Sequence, residues 1–377
     1  MCLSAIATGG HPDVHGIPHL VWWNRAEQRL VEYGSSFHAL RAAGVARGLR
    51  DTIFNMNQRH LSRDAVTVYE AAEDAGLTAA AINITCYRGS TRHVPTLPGV
   101  PHAFGPRRFF FYSLFESDPT GAPIAVRSRA AGSIDAYAAT VGRWLVTRDG
   151  FDLLVYYLPD YDFASHAFGP DECGEALERS DAAVAALIDA AGGLDEFLER
   201  YAVVVCADHG QTRIERVDRL EDAFTGVPDV VVAASNRAGM VYDLRGGRAR
   251  QLAEQVGPEH VAVFLEHGEV VARRGGEEGL GLLDAFPQGR ERVAAALRNP
   301  NAGEVIVSAA PGVEFADLGG RHHVGGGSHG SLEPGDSLVP MLTVGVGPPP
   351  DSITGVAPLL LAHLGVEPPA YARRLAA

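Results

Sequence analysis

The sequence predicts an α/β protein: a doubly wound, mostly parallel sheet with helices on both faces, carrying a small inserted α+β subdomain. Three observations predict it. Continuous apolar, β-branched runs such as Asp152-Leu-Leu-Val-Tyr-Tyr-Leu158 and Tyr201-Ala-Val-Val-Val-Cys-Ala207 read as strands buried on both faces. Stretches of helical period separate such runs, which is the alternation that parallel strands joined by crossover helices require. Both strands run into clusters of Asp and His, and an open parallel sheet presents its ligands just beyond the carboxyl ends of its strands.

In chain order, a helix is predicted over 63–75 and a strand over 79–84. Residues 85–132 are rich in Pro, Gly, Arg and Phe and lack a clear period, so they read as an excursion over the active-site face. A helix over 133–146 precedes the strand 152–158, a crossover helix over 172–191 and the strand 201–207, a right-handed βαβ unit by default. From 227 to 311 the strands are shorter (227–233, 240–244, 261–265, 304–308) and mix with helices centred on Gln251 and spanning 289–298. That part is expected to be an inserted subdomain within one catalytic domain covering 1–377. A strand over 338–346 and a helix over 354–364 follow.

Composition narrows the function. The chain has 377 residues, 46% of them hydrophobic and 21% charged, an ordinary globular balance. A net charge of −14 gives no electrostatic footprint for a nucleic acid polymer or an anionic membrane. No apolar run reaches the ~18 residues of a transmembrane helix, and no charged n-region precedes an apolar h-region, so a soluble, cytoplasmic chain is expected. The four cysteines, Cys2, Cys86, Cys173 and Cys206, form no CxxC pair and suggest neither a zinc knuckle nor a disulfide framework.

The chemistry sits in four clusters. The chain opens Met1-Cys-Leu-Ser-Ala-Ile-Ala-Thr-Gly-Gly-His11-Pro-Asp-Val-His15-Gly16; a His-x-x-x-His pair could ligate zinc from a helix, but Pro12 and the glycines around it argue for a turn. After the strand 152–158 come Asp160, Asp162 and His166, and Asp162 and His166, four apart in a short loop, can converge on one cation. After the strand 201–207 come Asp208, His209 and Gly210. The fourth cluster, Gly325-Gly-Gly-Ser328-His329-Gly330-Ser331, follows Arg321-His322-His323; its glycines let backbone approach an ion or a phosphate closely.

Asp162-x-x-x-His166-x-x-Gly169, Ala-Asp208-His209-Gly210 and Gly-x-His329-Gly, in this order, resemble the metal-ligand motifs of the alkaline phosphatase superfamily, in its type I phosphodiesterase/nucleotide pyrophosphatase branch. The opening Ala7-Thr8-Gly9-x-x-Pro12-x-x-His15-Gly16-Ile17 is similar to that branch's Thr-Gly-x-x-Pro-x-x-His-Gly-Ile segment. The resemblance implies two divalent metal ions, zinc first and manganese or iron as alternatives, and hydrolysis of phosphodiester or pyrophosphate bonds in nucleotides or related small molecules through a covalent phospho-enzyme. It implies that Asp162, His166 and His329 hold one ion while Asp208 and His209 contribute to the other. It makes Asp160 a neighbour of the ligands and His15 a structural hydrogen-bonding residue.

The same pattern places a Thr or Ser nucleophile, a further Asp ligand and the first sheet strand upstream, at positions that fall before Met1. Ser4, Cys2 and Thr8 are the substitute nucleophiles within reach, with Ser4 and Thr8 also readable as the inner face of the opening helix. The alternatives are a phosphomonoesterase, phosphonate hydrolase or phosphomutase on the same scaffold, and, from another class, a non-catalytic protein that binds metal or phosphate. His322 and His323 read first as solvent-exposed loop residues, Arg88, Arg92, Arg107 and Arg108 as a solvated loop face, and Trp22-Trp23 and Phe109-Phe-Phe111 as apolar packing. Asn83 is a further polar candidate at the end of a strand.

Overall fold

The computed structural model describes residues 1–124 and 132–373. Residues 125–131 of the 85–132 excursion lie outside the described residues.

The fold is mixed α/β. A four-stranded sheet runs in the order Phe115–Ser117, Arg108–Phe111, Ala79–Ile82, Leu153–Tyr156. Ala79–Ile82 pairs parallel with both neighbours, and Phe115–Ser117 is the antiparallel edge. Alternation decides which side chains go where. Ala79, Ala81, Phe109 and Phe111 join a core with Trp22, Tyr69, Tyr87 and Leu361, whereas Ala80, Ile82 and Phe110 pack against Tyr137, Val141 and Leu145 of the helix Ile134–Val146. The Ala-rich central strand is thus covered on both faces, as a continuous apolar run requires. Phe109, Phe110 and Phe111 are core residues, as expected.

A second sheet has six antiparallel strands in the order Val230–Ser235, Ala238–Asp243, Val305–Ser308, Val261–Glu266, Glu269–Arg274, Glu277–Glu278. One face buries Val241, Phe264, Val305 and Val307 with Leu252 and Ala253 of the helix Ala249–Ala253. The other buries Val261, Val263 and Ala272 against Val293 and Leu297 of the helix Gly289–Arg298.

The strands 152–158 and 201–207 of the expected βαβ unit appear as Leu153–Tyr156 and Val203–Cys206, joined through the helix Gly174–Ala191. They do not share a ladder. Among the described residues Leu153–Tyr156 pairs only with Ala79–Ile82, and Val203–Cys206 only with Met341–Val344, antiparallel. Among the described residues each keeps one unpaired edge, and around the second pair Val205 is 52% and Leu342 66% exposed. Among the described residues no helix is long and apolar enough to cross a membrane.

Candidate metal centre

Asp162 and His166 lie on a helix, Asp160–Phe168, which corrects the short loop expected there. Asp160 and Asp162 occupy its first turn, where carboxylates oppose the positive end of the helix dipole, and Gly169 ends it at φ +94°. The helical rise puts Asp162 and His166 one turn apart on one face, Oδ1 to Nε2 3.5 Å. Asp160 faces elsewhere: its Oδ1 accepts from the Ile134 amide and its Oδ2 lies 3.7 Å from Arg179.

The other two clusters are brought in by a short antiparallel ladder. Thr212–Arg213 pairs with Gly327–Ser328, so the Asp208-His209-Gly210 turn and the His329 loop leave the same two-stranded ribbon side by side. Gly210 is required by close approach: a Cβ there would stand 2.0 Å from the Gly335 carbonyl oxygen. Gly326 is packed as tightly, with a Cβ position 2.1 Å from the His166 carbonyl oxygen.

The five residues converge. His209 and His329 Nε2 each lie 3.9 Å from Asp162 Oδ1, and His209 Nε2 lies 3.5 Å from Asp208 Oδ2. The His209 and His329 rings stack, and the His166 ring centroid is 5.1 Å from that of His329. Donor atoms of Asp162, His166 and His329 fall within 4.8 Å of one another, the spacing of a set that can share one ion. Burial, then the neighbouring His209 and His166, holds His329 well below the usual imidazole range; burial also lowers His166 and raises Asp208.

The hydrogen bonds show that the donor set suits a cation. His166 Nδ1 donates to the Gly327 carbonyl and His209 Nδ1 to the Gly210 carbonyl, which leaves both Nε2 atoms as lone pairs. His329 Nε2 faces the Asn236 amide nitrogen at 3.3 Å, which makes it an acceptor as well. Three imidazole lone pairs and a carboxylate oxygen therefore face each other with no proton to share. Such N/O donors are what zinc and its neighbours in the first transition row take.

Three neighbours were not foreseen. Gln211 Nε2 donates to Asp162 Oδ1 at 2.6 Å, and Asn236 comes from the turn between Val230–Ser235 and Ala238–Asp243. The third is His323, which is packed into the site and not left in solvent. Its ring centroid is 4.4 Å from that of His166, and its Nδ1 and amide both donate to buried Glu314, which also accepts from Ser328 Oγ. Burial pushes Glu314 up, but the His323 and Ser328 bonds outweigh it and keep the carboxyl below its usual range. His322 is exposed, as expected.

Other candidates are structural. His15 is buried, and its Nδ1 accepts from the Ile17 amide. His11 faces Glu291 at 3.6 Å. Arg88 is buried against Glu70 and the Leu61 and Ser62 carbonyls, and Asn83 accepts from the Tyr112 amide. A second acidic cluster, Asp218, Glu259 and His260, is satisfied without an ion. His260 Nδ1 accepts from the Ala310 amide, so its Nε2 carries the proton and donates to Asp218, and Arg216 bridges both carboxylates.

Comparison with solved structures shows the same fold at low identity. The chain is similar to murine ectonucleotide pyrophosphatase/phosphodiesterase 5, an inactive variant in complex with AMP, with TM-score 0.60 and 14% identity, covering 97% of this chain and 83% of that one. It is similar also to the human protein of the same name, with TM-score 0.60 and 12% identity, covering 97% and 82%. No curated relative matches at the sequence level. The family model for type I phosphodiesterase/nucleotide pyrophosphatase matches residues 1–332, and the chain belongs to that family of phosphoric ester hydrolases.

Proposed function

We propose that this phosphodiester hydrolase cleaves phosphodiester or pyrophosphate bonds in nucleotides or related small phosphate esters with two divalent ions, zinc first among them. Asp162, His166 and His329 would hold one ion, and Asp208 and His209 would contribute to the other. The observation that carries this reading is the set of three imidazole lone pairs gathered around Asp162 Oδ1. Bound there, divalent ions would neutralise the charge that develops on the phosphoryl oxygens. The protein's own contribution is to aim the imidazole Nε2 atoms before any ion arrives. The AMP bound in the murine relative supports a nucleotide substrate.

The hydroxyl and thiol groups nearest the site in this chain are poorly placed as nucleophiles. Ser4 and Thr8 are buried, with Thr8 Oγ1 donating to the Ser4 carbonyl, and burial raises the Cys2 thiol away from the reactive thiolate.

Zinc-loaded protein assayed on bis-p-nitrophenyl phosphate tests the reading. Turnover abolished by chelator and by His329→Ala supports it; turnover indifferent to both overturns it. Rates on monoester and phosphonate substrates alongside separate the related hydrolases. One ion per chain with no turnover would favour a metal-binding protein.

A further inference from the structure

We propose that Arg237 and Asp336 are a positioning pair that sets the His329 loop against the Asp208-His209 turn, and so fixes the spacing of the metal ligands; the proposal rests on the metal reading above. Both side chains are fully buried, and Arg237 Nη1 meets Asp336 Oδ1 at 2.7 Å. Asp336 reaches both halves of the site, and Arg237 reaches the His329 loop. Asp336 Oδ2 accepts from the Ser331 amide at 2.8 Å and from Ser331 Oγ at 2.7 Å, two residues past His329. Its Oδ1 accepts from Thr212 Oγ1 and its carbonyl from the Gly210 amide, next to His209. The Arg237 amide donates to the His329 carbonyl at 2.9 Å.

Arg237 anchors this assembly to the six-stranded sheet. It leads out of the turn whose preceding residue, Asn236, contacts His329 Nε2, and its Nε and Nη2 donate to the Val313 and Ala310 carbonyls, both at 3.1 Å. A planar guanidinium can serve three acceptors in fixed directions, which an ammonium cannot. The carboxylate uses both oxygens, so every charge in the pair is hydrogen-bonded, the condition under which a buried ion pair is tolerated. A buried ion pair is a poor source of net stability compared with apolar packing. What it supplies here is one geometry, shared by two loops that lie far apart in sequence and carry the ligands.

Cobalt(II) titration of the purified protein, read by the visible ligand-field spectrum and by affinity, tests the proposal on Ser331→Ala, Thr212→Val and Arg237→Met. The first two each remove side-chain bonding to Asp336 and leave the Thr212–Ser328 ladder intact, so they decide the matter if Arg237→Met does not fold. The expected result is an altered spectrum and about tenfold or greater loss of affinity in Ser331→Ala and Thr212→Val, with folding retained by thermal unfolding. Wild-type spectra and affinities in both variants would overturn the positioning role while leaving the metal reading intact. Failure of the wild-type protein to take up cobalt would overturn both.

Discussion

His209 and His329 stack face to face, with ring centroids 3.5 Å apart and planes 11° from parallel, and both aim Nε2 at Asp162 Oδ1 from 3.9 Å. One carboxylate oxygen is therefore the common neighbour of two imidazoles from different loops, with His166 Nε2 at 3.5 Å from the helix below. Asp162→Asn keeps the shape and removes the charge. It is expected to abolish uptake of the tight ion, measured by equilibrium dialysis, while costing little thermal stability, because Asp162 is partly exposed and Gln211 can rotate its amide to suit the new partner. Undiminished metal uptake would contradict Asp162 as a ligand.

Three glycines of the site separate close approach from backbone conformation. Ala at Gly210 or Gly326 would drive a Cβ into a backbone oxygen at 2.0 or 2.1 Å, and neither neighbour is a flexible side chain. Each substitution is expected to cost roughly 1–3 kcal/mol or more and to reduce activity with it, since the displaced backbone carries His166, or lies beside Asp336. Gly325 has φ +89° and open space around its Cβ position. Gly325→Ala is expected to cost only about 1 kcal/mol, with activity retained. Urea unfolding of the three variants checks the ranking.

Much of this was legible because local chemistry announced it. The helix 289–298 is observed as Gly289–Arg298, and the helix expected over 133–146 as Ile134–Val146, with Ser133 as its cap accepting from the Ala136 amide. The five ligand candidates were legible because carboxylates and imidazoles stood at strand ends beside glycine. Asp162 and His166 were expected in a short loop, whereas the helix starts at Asp160, with Pro159 at its N-cap, where no amide donor is needed. Asn236, Arg237 and Glu314 carried no such signal. Their roles arise from contacts with residues such as His329, 93 positions from Asn236, and Asp336, 99 positions from Arg237. The ladder partner of Val203–Cys206 was equally hidden, because β-pairing depends on which edges meet and not on either strand's composition.

His93 makes stability fall in acid. Burial, opposed by bonds to the Pro106 and Gly105 carbonyls, lowers its imidazole to about 4. The unfolded imidazole takes up its proton near 6.5, so between these values the unfolded state binds more protons. The contribution is fully present above pH 6.5 and is lost as pH falls through about 4, at no more than about 1.4 kcal/mol per pH unit. Buried His15 and His19, lowered to about 3 and about 4, act with the same sign. His93→Phe forfeits the Nε2 bond to Pro106, about 1 kcal/mol at pH 7, but is expected to lose less stability between pH 7 and pH 4.5. An unchanged slope in urea midpoints over that range would refute the assignment.

The exposed apolar residues at the Val203–Cys206 and Met341–Val344 pair predict self-association. Val205, Leu342 and Val344 are 52%, 66% and 47% exposed on strands that carry an unpaired edge. An apolar edge left unpaired among the described residues is a template for pairing with another chain. Since these side chains bury little surface, Val205→Thr combined with Leu342→Thr is expected to change folding stability by no more than about 0.5 kcal/mol per site. Sedimentation at rising protein concentration should show the double variant staying monomeric to higher concentration than the parent. A stability loss of several times that size, with sedimentation unchanged, would mean that both side chains are covered in solution and that the edge is not free.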